Sequence, residues 1–491
     1  MSHETGARTD QMSGTSHLDL RHLKPSREQD APIYLQLYRR YQEAIASGRL
    51  QPGDRVPSVR SLASELGLAR GTVEVAYQML VGEGYFVARG AAGTVVSPRL
   101  GNLADTSRAK VSTPPPGPSP RPHAPDHGAL PFQLGVPALD AFPRKTWTRL
   151  AGHTLRTLET VAMTYPDPAG YGPLRRAIAE YLGISRGIAC TPGQVFVTAG
   201  YRGALELVRR TLLQAGDLGW YEDPGYIFAR QFLERAGMRL APVPVDEEGL
   251  NVRIGRRRAD DARFAVVTPT HQSPTGVALS LPRRLELLEW AHHRRAWIIE
   301  DDYDSEFRYQ GRPLPALKSL DRNERVLYTG TFSKVLFPGL RLAYLVVPAS
   351  QAGKFRDMVN HLPDPGSVLP QAMVADFMEQ GHFARHLRRM RPLYAARRGY
   401  LADALARIPG GRLHVQPQAG GIHILAHLLP RQRDKALAMA AQAVGLAVQA
   451  LSDWRMRQSP QGGLLMGFAN FATAEDAAAA VRRLEAVLES G

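Results

Sequence analysis

The stretch Tyr328–Pro348, YTGTFSKVLFPGLRLAYLVVP, places Lys334 and Arg341 seven residues apart between two apolar runs. A lysine closing a strand is most often a solvated rim charge, so its surroundings decide whether the amine has a chemical role. The runs VFVTAG, LGWYEDPG, FAVVTPT, AWIIEDDYD and VLYTGTFSK each end in polar or glycine-rich residues. Segments with helical periodicity, such as LPRRLELLEWAHHRR, separate them. That alternation predicts a mostly parallel sheet, and ligands bind such sheets where the strands end. Lys334 lies at one of those ends.

At 491 residues the chain exceeds what one core supports, so two or three domains are expected. The single cysteine, Cys190, excludes an intramolecular disulfide and argues against a cysteine metal site, and no metal is expected. The N-terminus MSHETGARTDQMSGTSHLDL has no apolar h-region, and no segment is apolar enough to span a membrane. A cytoplasmic, unexported protein is expected. A net charge of +15 fits a polyanionic partner, although a basic balance also aids solubility.

Residues 99–128 are dense in Pro, Ser and Gly, including PPPGPSP. They cannot offset the entropy of ordering and read as a semi-rigid linker. Residues 1–29 read as a disordered tail. Between them, residues 30–98 begin with a predicted helix bearing Ile33, Leu37, Tyr41 and Ile45 on one face. Ser58 is placed to cap a second helix, Gly67 permits a turn, and a third helix carries Val73, Ala76, Tyr77 and Leu80 inward. YFVARGAAGTVV then reads as a two-stranded wing. GDRVPSVRSLASELGLARGTVEVAYQMLVGEGYF resembles the winged helix-turn-helix of GntR-type bacterial repressors, with Pro57, Ser58, Arg60, Arg70, Thr72 and Tyr77 on recurrent positions. Double-stranded DNA is the implied partner. Arg70 and Thr72 stand at the groove end of the recognition helix, with Ser58, Arg60 and the wing's Arg89 beside the backbone.

Residues 129–491 offer a set of groups that suits pyridoxal 5'-phosphate (PLP). Lys334 could form a Schiff base, and Asp301 could hold the pyridinium proton, the choice between it and Asp302 being open. Tyr303 could reach the phenolic oxygen from the same strand face as Asp301. Thr331, Ser333 and Arg341 could bind phosphate, helped by backbone amides near Tyr201 and Arg202 at a helix start. Tyr226 could stack on the ring. Each group alone more often packs or faces solvent; their joint order carries the reading.

YPDPAGYGPLRRAIAEYLGISRGI, VTAGYRGALEL, EDPGY, TPTHQSPTG, IIEDDYDSEFRY and TGTFSKVLFPGLRLAYLV resemble the fold-type I aminotransferases. With the N-terminal unit, the chain resembles the MocR subfamily of GntR-type regulators. The fold implied is a small α+β winged helix-turn-helix joined to an α/β PLP-binding domain with a smaller C-terminal α/β subdomain. The resemblance puts Lys334 on the Schiff-base lysine, Asp301 and Tyr303 on the pyridine and phenolic-oxygen partners, Arg341 on the phosphate arginine, and Tyr226 on the stacking aromatic. Tyr165 matches a tyrosine that crosses to a neighbouring subunit's phosphate, which implies a homodimer, head-to-tail swapped.

Two departures from the enzymes stand out. Ser273 replaces a cofactor-binding asparagine, and Leu464, Leu465 and Met466 in GGLLMGFANF occupy the region of the arginine that holds a substrate carboxylate. The expected function is therefore a PLP-dependent transcriptional regulator that senses a small amine, amino acid or B6 vitamer. The alternatives are a working aminotransferase with a DNA-binding appendage and a vestigial domain that only dimerises.

Overall fold

In the computed structural model the chain divides into two compact units, Met1–Arg121 and Pro122–Gly491. The residues described are 24–26, 31–100, 129–160, 164–309, 314–362, 366–415, 418–429 and 433–490. The expected tail apart from 24–26, and the expected linker beyond Leu100, lie outside them.

The first unit forms around apolar faces set by helical spacing. Helix α1 (Ile33–Ala46) buries Leu37 and Tyr41. Strand β1 (Arg55–Val56) follows. Helix α2 (Val59–Leu66) starts where the Ser58 side chain accepts from the Ser61 amide at 3.1 Å, and it ends at left-handed Gly67. Helix α3 (Arg70–Gly82) buries Val73, Ala76, Tyr77 and Leu80. The wing is β2 (Phe86–Ala88) and β3 (Thr94–Val96), paired antiparallel. β1 pairs with the free edge of β3, a strand too short for its sequence to reveal.

Tyr41, Tyr77 and Phe86 meet edge to face with centroids 5.2–5.8 Å apart, each pair adding about 1 kcal/mol beyond burial. The Tyr77 hydroxyl donates to the Pro57 carbonyl at 2.9 Å, which ties α3 to the turn before α2. Part of the expected disordered tail is held: Ser26 exchanges two hydrogen bonds with the Gln36 amide, at 3.0 and 2.9 Å. A side-chain amide that pairs both backbone groups makes ordering there favourable.

The second unit is built on an eight-stranded sheet. Its strands are β4 (Val195–Thr198), β5 (Leu218–Asp223), β6 (Arg239–Asp246), β7 (Gly249–Leu250), β8 (Phe264–Val267), β9 (Trp297–Asp302), β10 (Val326–Thr331) and β11 (Ala343–Val346). The order is β4-β11-β10-β9-β8-β5-β6-β7. Strands β10, β9, β8, β5 and β6 are parallel neighbours, as the alternating pattern predicts. The link from β10 to β11 is too short for a crossover helix, so β11 turns back antiparallel. Helices α4 (Gly172–Arg186), α5 (Tyr201–Leu212), α6 (Ile227–Arg235) and α7 (Leu281–Arg294) flank this sheet in sequence, and Trp220 of β5 stacks on Trp290 of α7 at 3.8 Å.

The smaller subdomain has four antiparallel strands, β12 (Leu413–Val415), β13 (His423–Leu428), β14 (Gln449–Ala450) and β15 (Gly463–Gly467). Gly467 donates its amide to Phe132 at 2.8 Å, so the start of the unit is stitched to its end.

One buried ionic knot crosses the larger part. Arg186, the last residue of α4, meets Asp302 at 3.1 Å and Glu306 at 3.7 Å. Tyr328 donates to the same Asp302 oxygen that pairs with the arginine, at 2.6 Å. Removing one partner strands the others without a counter-charge. Arg186→Met is expected to cost about 3–5 kcal/mol, measured as a lowered urea midpoint for the transition of the large unit.

Candidate cofactor site and nucleic-acid interface

Neighbouring residues on a strand face opposite sides, and this separates the two aspartates that close β9. Asp302 turns into the Arg186 knot. Asp301 turns the other way and makes no ion pair among the described residues. Burial pushes its carboxyl up to about 8, opposed by the neighbouring Tyr201 phenol. The Tyr201 hydroxyl is itself buried without a partner in hydrogen-bond geometry. Glu222, at the end of β5, is pushed up to about 7 by burial, even though Thr268 and Gln272 donate to it at 2.6 and 3.0 Å. The C-terminal ends of these strands thus hold carboxyls that keep protons near neutral pH.

Lys334 lies in the loop after β10. Its Nζ donates to the Gly135 carbonyl at 2.9 Å, and a Cβ at Gly135 would stand 2.5 Å from that nitrogen. Burial lowers the pKa of the amine, while Asp304 and Asp301 pull it back up. A depressed pKa raises the fraction of free amine available as a nucleophile. Arg341 adopts a left-handed backbone, with φ 51°. Its guanidinium carbon is 3.6 Å from where a Gly200 Cβ would lie, and Gly200 immediately precedes α5. A cation beside a helix N-terminus makes an anion site. Thr331 and Ser333 are joined locally, Ser333 N donating to Thr331 Oγ1 at 3.1 Å. Arg202 turns its side chain toward the Phe228 ring, 6.0 Å away.

Tyr226 opens α6, its ring 6.2 Å from Tyr201 and 5.8 Å from Trp454. Tyr303 lies just beyond β9 rather than on its face with Asp301, because the strand ends at Asp302. From that turn its hydroxyl sits 3.0 Å from His271 Nδ1 and faces the Ser273 side chain. Tyr165 is 97% exposed and stands apart from these groups within one chain.

In the first unit Arg70 begins α3 and is exposed, with Thr72 half-buried one residue beyond Gly71. Arg60 in the first turn of α2 and Arg89 in the turn after β2 are exposed. Ser58 spends its oxygen as the α2 cap, which leaves only its O–H proton for a phosphate. A cation absent from the sequence reading is Arg55, whose guanidinium lies across the wing turn, 3.1 Å from a Cβ built at Gly93.

The family description "Bacterial regulatory proteins, gntR family" matches residues 33–96, and "Aminotransferase class I and II" matches residues 143–470. The probable rhizopine catabolism regulatory protein MocR of Rhizobium meliloti is 37% identical over 457 residues, covering 90% of this chain and 91% of that protein. The pyridoxine biosynthesis transcriptional regulator PdxR of Corynebacterium glutamicum is 34% identical, covering 89% and 92%. The chain belongs to the MocR subfamily of GntR-type transcriptional regulators. Among solved structures, the α-aminoadipate aminotransferase LysN of Thermus thermophilus, complexed with N-(5'-phosphopyridoxyl)-L-leucine, superposes with a TM-score of 0.67 at 29% identity, covering 74% of this chain and 92% of that one.

In this MocR-type chain Leu464, Leu465 and Met466 are fully buried in β15. Leu465 packs with Leu425, Leu451 and Trp454, and Tyr226 and Leu134 lie against that cluster. Leu465 is thus enclosed by apolar packing. Among the described residues, no helix is long and apolar enough to cross a membrane, and no group of three or more His, Cys, Asp or Glu side chains could hold a metal.

His271, Asp304 and Glu222 join the site without having been singled out from sequence. His271 stands two residues before Ser273 in TPTHQSPTG, but its partner Asp304 lies in a different motif, and only the fold joins them.

Glu222, Asp301 and Glu300 all carry pKa values raised by burial, the last also to about 7. Raised carboxyls bind more protons folded than unfolded, so their contribution is present at low pH and lost as pH rises through 7 to 8. His423, held down to about 4 by burial, acts with the opposite sign, but only below its unfolded value of about 6.5. Between about pH 6.5 and 8 the cofactor-free protein should therefore lose stability, and Glu222→Gln should remove about 1 kcal/mol of that loss, read from urea unfolding at the two pH values.

Proposed function

We propose that this regulator holds PLP on Lys334 and that occupancy of the same site by a small amine, amino acid or B6 vitamer changes its affinity for operator DNA. The observation that carries the reading is Asp301: a buried carboxyl that makes no ion pair among the described residues, pushed up to about 8, at the end of the strand beside the one that leads to Lys334. A pyridine nitrogen is a base that accepts such a proton and leaves an ion pair where a lone buried acid stood. The remaining groups suit the cofactor equally. Arg341, Thr331, Ser333 and the amides of Tyr201 and Arg202 would hold the phosphate, Tyr303 and Ser273 the phenolic oxygen, and Tyr226 the ring face. When bound, the cofactor supplies an aldehyde and an electron-withdrawing ring. The protein orients the amine through Gly135, lowers its pKa by burial, and shields it from water.

The chain would act as a homodimer, head-to-tail swapped, with Tyr165 completing the partner's phosphate site. The exposure of Tyr165, with that of Ile184 at 91%, supports an intersubunit face. A cytoplasmic location follows from operator binding. The second reading, a working aminotransferase, has its lysine and aspartate but meets the apolar β15 face where a substrate carboxylate needs a bidentate cation. An effector alters DNA affinity only as far as it binds the two arrangements of the dimer unequally, and DNA must change effector affinity by the same factor.

Purified protein with added PLP should absorb near about 420 nm, the region of a protonated imine. Borohydride should trap the cofactor on Lys334, and Lys334→Ala should show neither band nor adduct while still shifting operator DNA. An adduct on another lysine, or none in wild type, overturns the assignment. On DNA, Arg70→Ala should cost about 1–3 kcal/mol and relax specificity at its base. Arg89→Ala should weaken all sequences alike and reduce the salt slope by about 1. Binding titrations on operator and scrambled duplexes at several salt concentrations distinguish the two roles.

A further inference from the structure

His271 is buried in the loop between β8 and α7, and its Nδ1 lies 3.0 Å from Asp304 Oδ1 and 3.0 Å from the Tyr303 hydroxyl. A ring nitrogen carries at most one proton, so it either donates to Asp304 or accepts from Tyr303. Asp304 is 1% exposed, and its second oxygen is buried without a partner. A buried carboxylate stripped of its donor is costly, which fixes the proton on Nδ1 and directs it to Asp304. Tyr303 then cannot donate to the histidine, and its own proton is left for the Ser273 side of the site.

The ring is also pinned from the smaller subdomain. Gly421, just before β13, has φ 87°, and a Cβ there would stand 2.1 Å from His271 Cε1. Two residues on, His423 donates Nε2–H to the Pro274 carbonyl at 2.9 Å, its ring 5.7 Å from that of His271. Burial keeps His423 neutral near pH 7. The charged and titratable groups that bear on Tyr303 and Lys334 are Asp301, Asp304 and Glu222, with His271 and His423 beside them.

We propose that His271, oriented by Asp304 and covered by Gly421, is a positioning residue that keeps the Tyr303 hydroxyl a donor toward the phenolic oxygen of the bound cofactor and ties that setting to the seating of the smaller subdomain. The inference rests on the reading of Lys334 as the cofactor lysine. With the cofactor held as proposed, a donor to its phenolic oxygen would stabilise the oxygen's anion and lower the pH at which the visible band titrates. Taking that donor away would raise that pH. In a chain without the imidazole, the Tyr303 hydroxyl would turn its hydrogen bond to Asp304, and the cofactor would lose its donor.

The test is the pH titration of the visible band in full-length, PLP-loaded protein. Tyr303→Phe should raise the midpoint by about one unit or more. His271→Phe should raise it in the same direction, His271→Asn should restore the wild-type value by presenting an amide donor to Asp304, and the Tyr303→Phe/His271→Phe double variant should rise no further than Tyr303→Phe alone. A His271→Phe shift that persists in full in the Tyr303→Phe background is a direct charge effect and overturns the proposal, as does the absence of any shift. Gly421→Ala displaces the ring with every polar group retained and should also raise the midpoint. If His271→Phe and Gly421→Ala both unfold cooperatively yet bind no cofactor, His271 is structural and the proposal falls. A wild-type protein without the band fails the cofactor reading itself, an outcome visible before any variant is made.

Discussion

The site depends on the opposite fates of two adjacent carboxylates. Strand alternation sends Asp302 into a knot with Arg186 and Tyr328, and it sends Asp301 to the other face, where it makes no ion pair among the described residues and feels the charge of Lys334. Had both aspartates shared one side, like charges about a strand residue apart would have needed the same arginine. The knot also joins the end of α4 to the end of β9 and the middle of β10, so the neutralised partner anchors the strand that presents the unneutralised one. Every further element of the site, from Tyr201 to Lys334, is placed relative to that edge.

An edge built this way is poorly satisfied by itself. Asp301 and Glu222 hold protons they would lose in water, burial lowers the pKa of Lys334, and the buried hydroxyl of Tyr201 has the Asp301 carboxyl as its neighbour. These are the groups that a ligand with a basic ring nitrogen and an aldehyde would engage. Binding free energy from such a ligand includes relief of those burial costs, which couples occupancy to the stability of the larger unit. The anion site is different in kind. Arg341 is exposed beside the amide end of α5, so the proposed phosphate site is built from groups already in place.

What the sequence could reveal followed from what is local. The helices of the first unit, the ends of the parallel strands and the lysine after β10 are each written in a few consecutive residues whose spacing has one structural meaning. The choice between Asp301 and Asp302 was not local, because two consecutive aspartates satisfy either phase of the strand and the arginine that decides lies far back in the chain. The same holds for His271 and Asp304, whose motifs meet only when β8 and β9 pair. Tyr303 was displaced by a single residue: alternation was extended one position past the strand's end, and the turn supplied a different route to the same neighbourhood. Leu465 was legible in the opposite sense, as the wrong residue type for a known need, and its burial shows that packing has claimed the position.

That position separates catalyst from sensor. An enzyme must bind the transition state more tightly than the substrate, and for an α-amino acid this requires holding the carboxylate while charge develops at the adjacent carbon. With Leu465 and Trp454 packed beside Tyr226, the site offers apolar contact there. A sensor has a weaker requirement: its ligand need only favour one arrangement of the protein over another. The smaller subdomain touches the cofactor loop through Gly421 on His271 and His423 on Pro274, so a ligand that alters either contact alters the seating of that subdomain. Under the proposed attachment of the cofactor to Lys334, its changes and those of the protein arrangement would become a single equilibrium, which a DNA-binding unit on the same chain could read without turnover.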